Sequence, residues 1–202
     1  MYKTLGQHEV EQIIKKSRFI ALSQNATTEK EAKDFVESVR QKYYDARHIA
    51  YAYRLSDNEQ IYQKSSDDGE PSGTAGKPIL NLILNENLMN VCICVVRYFG
   101  GIKLGAGGLV RAYSKSVMEA IGEAEILEIE EDDFFELIFE YSDIKIADTE
   151  VRNNNLEVIA KDYADKVIYN VVSKDNRDII KIFEKYSGKI KVNYKNKQFL
   201  EK

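Results

Sequence analysis

Hydrophobic and polar positions alternate along Val10 to Ser23 with a turn near Lys15-Lys16-Ser17, which predicts one or two strands. The period then changes. Thr28 stands as an N-cap before Glu29 to Lys42, where apolar residues return at helical spacing. Alternation resumes over Arg47 to Leu55, a strand that Gln60 to Lys64 joins as a hairpin across Ser56-Asp57-Asn58. Pro78 opens a short helix to about Asn85, in a first turn where its missing N–H costs little. Val91 to Arg97 is a nearly continuous apolar run, the mark of a strand covered on both faces, and Leu109 to Ile121 is an amphipathic helix.

Beyond residue 133 the order is cleaner. Phe134 to Tyr141 reads as a strand, Asp143 to Asn153 as a helix behind a Ser142 cap, and Leu156 to Asp162 and Lys166 to Ser173 as strands turning at Tyr163-Ala164-Asp165. Asp175 or Asn176 opens a helix to Tyr186, Gly188 stops it, and Ile190 to Tyr194 closes the series as a strand. This βαββαβ succession is the ferredoxin-like order. Between the halves, Glu123 to Asp133 is an acidic stretch, read as a linker or as the end of a strand leading into one. The expectation is an α+β protein of two domains, residues 1–130 and 131–202.

Composition narrows the class. Of 202 residues, 44% are hydrophobic and 31% charged, which supplies a packed core and excludes disorder of the whole chain. The longest apolar runs fall far short of the roughly 20 residues that span a bilayer, and the first residues lack the apolar segment of a secretory signal. A cytoplasmic protein without a membrane partner is expected. A net charge of −4 argues against non-specific coating of nucleic acid. Cys92 and Cys94 flank Ile93, so both thiols point to one face of a strand and form no ordinary disulfide; buried reduced thiols are expected. With only His8 and His48 as histidines, zinc lacks ligands, and neither a metal nor a cofactor is expected.

Eight of the 11 glycines and both prolines fall between residues 69 and 108, marking two special loops. The second runs from Arg97 to Arg111, where a strand feeds a glycine-rich loop that opens a helix. Bare backbone N–H groups and the positive end of the helix meet there. Gly100, Gly101, Gly105, Gly107 and Gly108 are therefore candidates for binding an anion or nucleic-acid backbone, with Lys77, Arg97, Lys103 and Arg111 supplying charge. The Gly-Lys-Ser/Thr ending of a Walker loop is missing, and the dinucleotide spacing from Gly105 demands glycine where Val110 stands. The bland alternative is that these glycines serve only tight turns and close packing.

The first loop, residues 65–78, offers Asp67, Asp68, Glu70, Ser72 and Thr74. These are hard-cation oxygen donors in type, but an EF-hand register is absent, and a rigid loop with Asx-type and hydroxyl caps is the favoured reading. His48 is expected to be packed or hydrogen-bonded rather than a base. Tyr98 and Phe99 either stack on bases or belong to the core. The turn Lys15-Lys16-Ser17-Arg18 is either solvated or part of a phosphate-contacting face.

The runs Asp67 to Pro78 and Val96 to Gly105 closely resemble the YigZ/Impact family, and Lys16 to Ile20 and His48 to Arg54 look like its flanking segments. The likeness covers about residues 1–125, with Ile49 standing where the family usually has a small polar residue. It implies an N-terminal domain of the βαβ type found in domain two of a small-subunit ribosomal protein and in a superfamily of small-molecule kinases. It also implies a C-terminal ferredoxin-like domain similar to those near the end of elongation factor G. Eukaryotic members are associated with restraining a stress kinase that senses uncharged transfer RNA; they carry a different additional domain, so that specific partner is not expected here. The expected function is a translation-associated regulator that binds RNA or the ribosome through its glycine-rich cationic loop. Two alternatives stand beside it: an enzyme acting on a phosphorylated small molecule or nucleotide, and a module whose ferredoxin-like domain binds a protein partner. No nucleophile or complete phosphate-transfer motif can be assembled, so the enzyme is the less favoured reading.

Overall fold

The computed structural model describes residues 2–57, 60–173 and 178–201. They form two compact units, Met1–Ile129 and Glu130–Leu200, with the last two residues grouped with the first. The first unit opens with β1 (Tyr2–Leu5), β2 (His8–Ile14) and β3 (Ser17–Asn25). Lys15 and Lys16 turn between the last two with φ of 46° and 65°, the left-handed two-residue geometry whose twist matches that of the strands it joins. Next comes α1 (Glu29–Lys42), started by a capping box. The Thr28 hydroxyl accepts from the Glu31 N–H at 3.2 Å, and the Glu31 carboxylate accepts from the Thr28 N–H at 3.3 Å.

The unit continues with β4 (His48–Asp57), β5 (Gln60–Ser66), α2 (Gly76–Asn85), β6 (Val91–Tyr98) and α3 (Ala106–Glu123). Of the turn expected across Ser56-Asp57-Asn58, Ser56 and Asp57 are instead the last residues of β4, paired with Ile61 and Gln60, and Asn58 lies outside the described residues. All strand pairs are antiparallel, in the order β2-β3-β6-β4-β5. β6 is the central strand, and its alternation builds two half-cores. Cys92, Cys94 and Val96 pack with Phe35 and Val39 of α1 on one face. Val91, Ile93 and Val95 pack with Ile79 of α2 and with Tyr113 and Val117 of α3 on the other. Both thiols are accordingly free and buried, on the α1 side.

The acidic stretch forms a strand. β7 (Ile126–Phe139) runs through it without a break; Ile126–Ile129 pair with β1, and Phe134–Phe139 pair in the second unit. A 3-10 turn, Tyr141–Asp143, leads into α4 (Ile144–Asn153), so Ser142 lies inside that turn instead of capping the helix. Then follow β8 (Glu157–Tyr163), β9 (Val167–Val172), α5 (Ile179–Phe183) with a 3-10 extension over Glu184–Tyr186, and β10 (Ile190–Glu201). The expected helix start at Asp175 or Asn176 lies outside the described residues. Among those described, Asp178 caps α5 by accepting from the Lys181 N–H at 3.0 Å. β10 and β9 flank β7, and β8 lies beyond β9, the ferredoxin-like arrangement. Its core gathers Leu137, Tyr169 and Ile190 against Ala147, Ile179 and Phe183 of the helices. The protein is thus α+β, with the helix-covered sheet of the first unit followed by a ferredoxin-like unit.

Candidate functional site

Strand register sets the first element of the site. Arg97, near the end of β6, stands opposite His48 on β4 and Phe19 on β3, all on the face that α3 covers. Its Nη1 donates to Glu70 at 2.6 Å, and the Tyr113 hydroxyl of α3 donates to the same carboxylate oxygen at 2.9 Å. The Arg97 and Glu70 side chains are only 8% and 3% exposed. Removing one partner of such a pair strands a buried charge, at a cost of about 3–5 kcal/mol. Burial, and then the charge and hydrogen bond of Glu70, push the Tyr113 phenol far above its ordinary pKa, so it remains a donor. The guanidinium lies 5.6 Å from the Phe19 ring and 5.8 Å from that of Phe99. Its Nε is buried and finds no partner among the described residues.

Glu70 stands in the first loop, which is built on its own hydrogen bonds. Asp67 accepts the N–H of Gly73 at 2.7 Å and those of Ala75 and Gly76 at 2.9 Å each. Burial alone would raise the Asp67 pKa, but these three donors outweigh it and hold the carboxyl below its usual value. Asp68, at φ 46°, takes Arg40 at 2.6 Å and the Ile49 N–H at 2.7 Å with its carboxylate. Its carbonyl accepts from His48 Nδ1 at 2.9 Å, so Nδ1 carries a proton and Nε2 is the ring nitrogen left to face elsewhere. The Thr74 hydroxyl donates to the Pro71 carbonyl at 2.6 Å, and Ser72 is exposed. Asp67, Asp68 and Thr74 are therefore engaged in the loop's own architecture, and Glu70 with Arg97. Among the described residues, no group of three or more His, Cys, Asp or Glu side chains is placed to hold a metal ion.

The second loop leaves β6 past the β2–β3 turn. A Cβ at Gly100 would fall 1.9 Å from the Lys16 carbonyl oxygen, a backbone atom that cannot yield, so only glycine lets the chain pass. Gly101 and Gly105 adopt φ of 84° and 70°. Gly105 is the N-cap of α3, and no side chain caps that helix among the described residues. Beyond it the backbone stays bare at Gly107 and Gly108, although a Cβ at Gly108 would press on Leu104 at 3.1 Å. Between the end of β6, the first loop and the start of α3 opens a pocket of about 620 Å³. Phe99, Leu104 and Leu109 give it apolar walls, and Arg47, His48 and Lys103 line it together with the Arg97–Glu70 pair.

The sequence-derived candidates thus separate. Arg97, Lys103 and Gly105 meet at the pocket together with Glu70. Lys77, exposed in the first turn of α2, is not among its lining residues, and Arg111 lines a different, shallow groove on α3 beside Val110 and Met118. Arg47 joins the site although no motif marks it; its only signal is its place next to His48 on the strand that pairs with β6. Tyr98 and Phe99 part company. The Tyr98 hydroxyl donates to Asp45 at 2.6 Å under the Arg18 guanidinium, and burial, then that bond, raise its pKa to about 12. Phe99 stays 56% exposed.

An antiparallel sheet with helices on both faces, a glycine-bounded cationic pocket at the end of its central strand, and a ferredoxin-like unit following it define a two-unit α+β protein with a ligand-sized site in its first unit. The chain belongs to the IMPACT family: the family model for the Impact N-terminal domain matches residues 15–121. IMPACT family member YvyE of Bacillus subtilis (strain 168) is 47% identical over 126 residues, which are 62% of this chain and 57% of that one. An IMPACT family member of Haemophilus influenzae is 36% identical over 159 residues, 76% of this chain and 75% of its own. A solved structure titled "Crystal structure of an hypothetical protein" covers 95% of both chains at 31% identity with a TM-score of 0.71. The matches span 57% and 53% of the first two curated relatives, YvyE and the Escherichia coli protein YigZ, little more than half their length.

Proposed function

We propose that this protein regulates translation in the cytosol and that its first unit binds phosphates of RNA, on the ribosome or free, at the pocket where β6 ends and α3 begins. One observation carries the reading: the uncapped N-terminus of α3 opens beside Lys103, Arg47 and Arg97 in a chain whose net charge is −4. Donors and positive charge converge on one spot instead of coating a face, which suits local contact with phosphate. Family membership supports translation as the setting, through the link of eukaryotic members to a kinase that senses uncharged transfer RNA. In this reading residues 1–130 are the Impact-type binding domain. Residues 131–202, which resemble the terminal domains of elongation factor G, offer a sheet to the ribosome or to a protein partner.

Co-sedimentation with ribosomes, and filter binding of a labelled single-stranded RNA, across a salt series test this directly. The Arg47→Glu/Lys103→Glu protein is expected to lose at least about tenfold in affinity at low salt, as two charge reversals at one phosphate site should. Lys77→Glu and Arg111→Glu, outside the pocket, are expected to weaken binding less. Absence of binding by the unaltered protein at low salt, or equal binding by the pocket variant, sinks the proposal.

A further inference from the structure

A phosphodiester backbone running across a protein carries one charge per phosphate and is held by surface cations spaced along its path. The site at α3 has a different form. It is concave, about 620 Å³ in volume, within the roughly 300–1,000 Å³ of pockets that enclose a small ligand. Its chemistry is polarised as well. At one end, the first N–H groups of α3 lack a capping side chain, and Ala106 and Lys103 line the wall. At the other, Phe99 is the residue immediately after β6, yet its ring is more exposed than buried while its neighbour Tyr98 is tied to Asp45. Behind both sits Arg97, more than nine-tenths buried, held to Glu70 through Nη1 alone and with its Nε unpartnered among the described residues.

The charge of the lining agrees with this form. Three cations, Arg47, Arg97 and Lys103, face two carboxylates, Asp45 and Glu70, and the helix end adds about half a positive charge. The surplus favours an anion with more than one charge over a diester. A ring exposed at the lip of such a pocket provides a face on which any base stacks.

Resting on the reading of this pocket as a phosphate site, the geometry points to a sharper ligand: a single nucleotide with a terminal phosphomonoester. The phosphate sits against the α3 N-terminus and Lys103, and the base lies on Phe99. The same chemistry comes from a free nucleoside monophosphate or from the phosphorylated end of a single strand.

The full chain is titrated calorimetrically with AMP, adenosine and inorganic phosphate. AMP and a dinucleotide then compete against a labelled short RNA carrying either a 5′-phosphate or a 5′-hydroxyl. AMP is expected to bind at least about tenfold more tightly than adenosine or phosphate, since base and phosphate each contribute. Phe99→Ala, at an exposed position, is expected to cost about tenfold in AMP affinity and to leave phosphate affinity unchanged. Ala106→Pro removes one N–H in a first turn that accepts proline and is expected to weaken AMP and phosphate alike, by about fivefold. Preference for the 5′-phosphorylated RNA identifies the strand end as the source; AMP binding without any RNA or ribosome binding identifies free nucleotide and overturns only the RNA reading. RNA binding that ignores the terminal phosphate and resists AMP overturns this inference and leaves the RNA reading standing. AMP affinity unchanged in Phe99→Ala also overturns it, and binding of neither AMP nor RNA overturns both.

Discussion

Asp67 shows how one carboxylate organises a site it does not enter. Its two oxygens take three backbone N–H groups, including two at the start of α2, whose own N-cap position is Ala75 and brings no side-chain acceptor. Asp67→Ala is expected to lower stability by about 1–2 kcal/mol, the upper part of the range for a lost cap, as read from urea unfolding. The bond also has a pH signature. Because the folded pKa lies below the unfolded value of about 3.9, the contribution is complete above that value and is withdrawn as pH falls through it toward the folded pKa. Stability plotted against pH should therefore fall less steeply below about pH 4 in Asp67→Asn than in the unaltered protein. The same residue marks a limit of reading from sequence. Asp67, Glu70 and Arg97 were all legible as polar residues in special loops. What each one binds was not, since Glu70 and Arg97 meet across 27 residues of chain and Tyr113 joins them from the apolar face of a helix.

Elements were legible where their causes are local. The start of α1 is written in Thr28 and Glu31, three residues apart, and the structure places the capping box there. β6 announces itself by an unbroken apolar run, because both of its faces are covered. β1 gave no such signal: four residues carry too little pattern, and their partners lie at Ile126–Ile129 and Leu88. The Ser142 cap failed for a related reason, since a tighter 3-10 turn occupies Tyr141–Asp143 and absorbs the residue before α4 begins. The glycines of the second loop are not equivalent in this respect. Gly100 is dictated by the β2–β3 turn lying against it, which no local pattern reveals, whereas a Cβ at Gly107 would meet only the Arg111 guanidinium at 4.0 Å. Gly100→Ala is expected to destabilise the protein by about 1–3 kcal/mol, as forced overpacking does, while Gly107→Ala stays within about 0.5 kcal/mol of the unaltered protein. Thermal unfolding of the two variants side by side checks the contrast.

For the whole molecule, a net charge of −4 surrounds a pocket lined by three cations. Binding there has to work against the general field, which salt screens, so its dependence on salt should be shallow. With one phosphate engaged in the pocket, the logarithm of RNA affinity is expected to fall against the logarithm of salt concentration with a slope near −1, at about −0.7 per phosphate for single strands. A slope several times larger in the filter-binding series would mean a wide basic face that the pocket does not supply. The change of pattern near residue 130 accompanies the division into two units, and of the two readings of the acidic run, a linker or the end of a strand, the second is the one the paired backbone of β7 takes. The pairing of β1 with β7 has a further consequence, for the order of events at synthesis. Tyr2 aligns with Ile129, so β1 leaves the ribosome about 6–25 s before this partner segment, at 5–20 residues per second. Until then β1 lacks that neighbour and is held through residues 87–90, where the Lys3 N–H donates to the Asn87 carbonyl at 3.2 Å and the Met89 N–H to the Lys3 carbonyl at 2.8 Å. A slowed or stalled ribosome lengthens that interval, which makes completion of the fold itself sensitive to the pace of elongation.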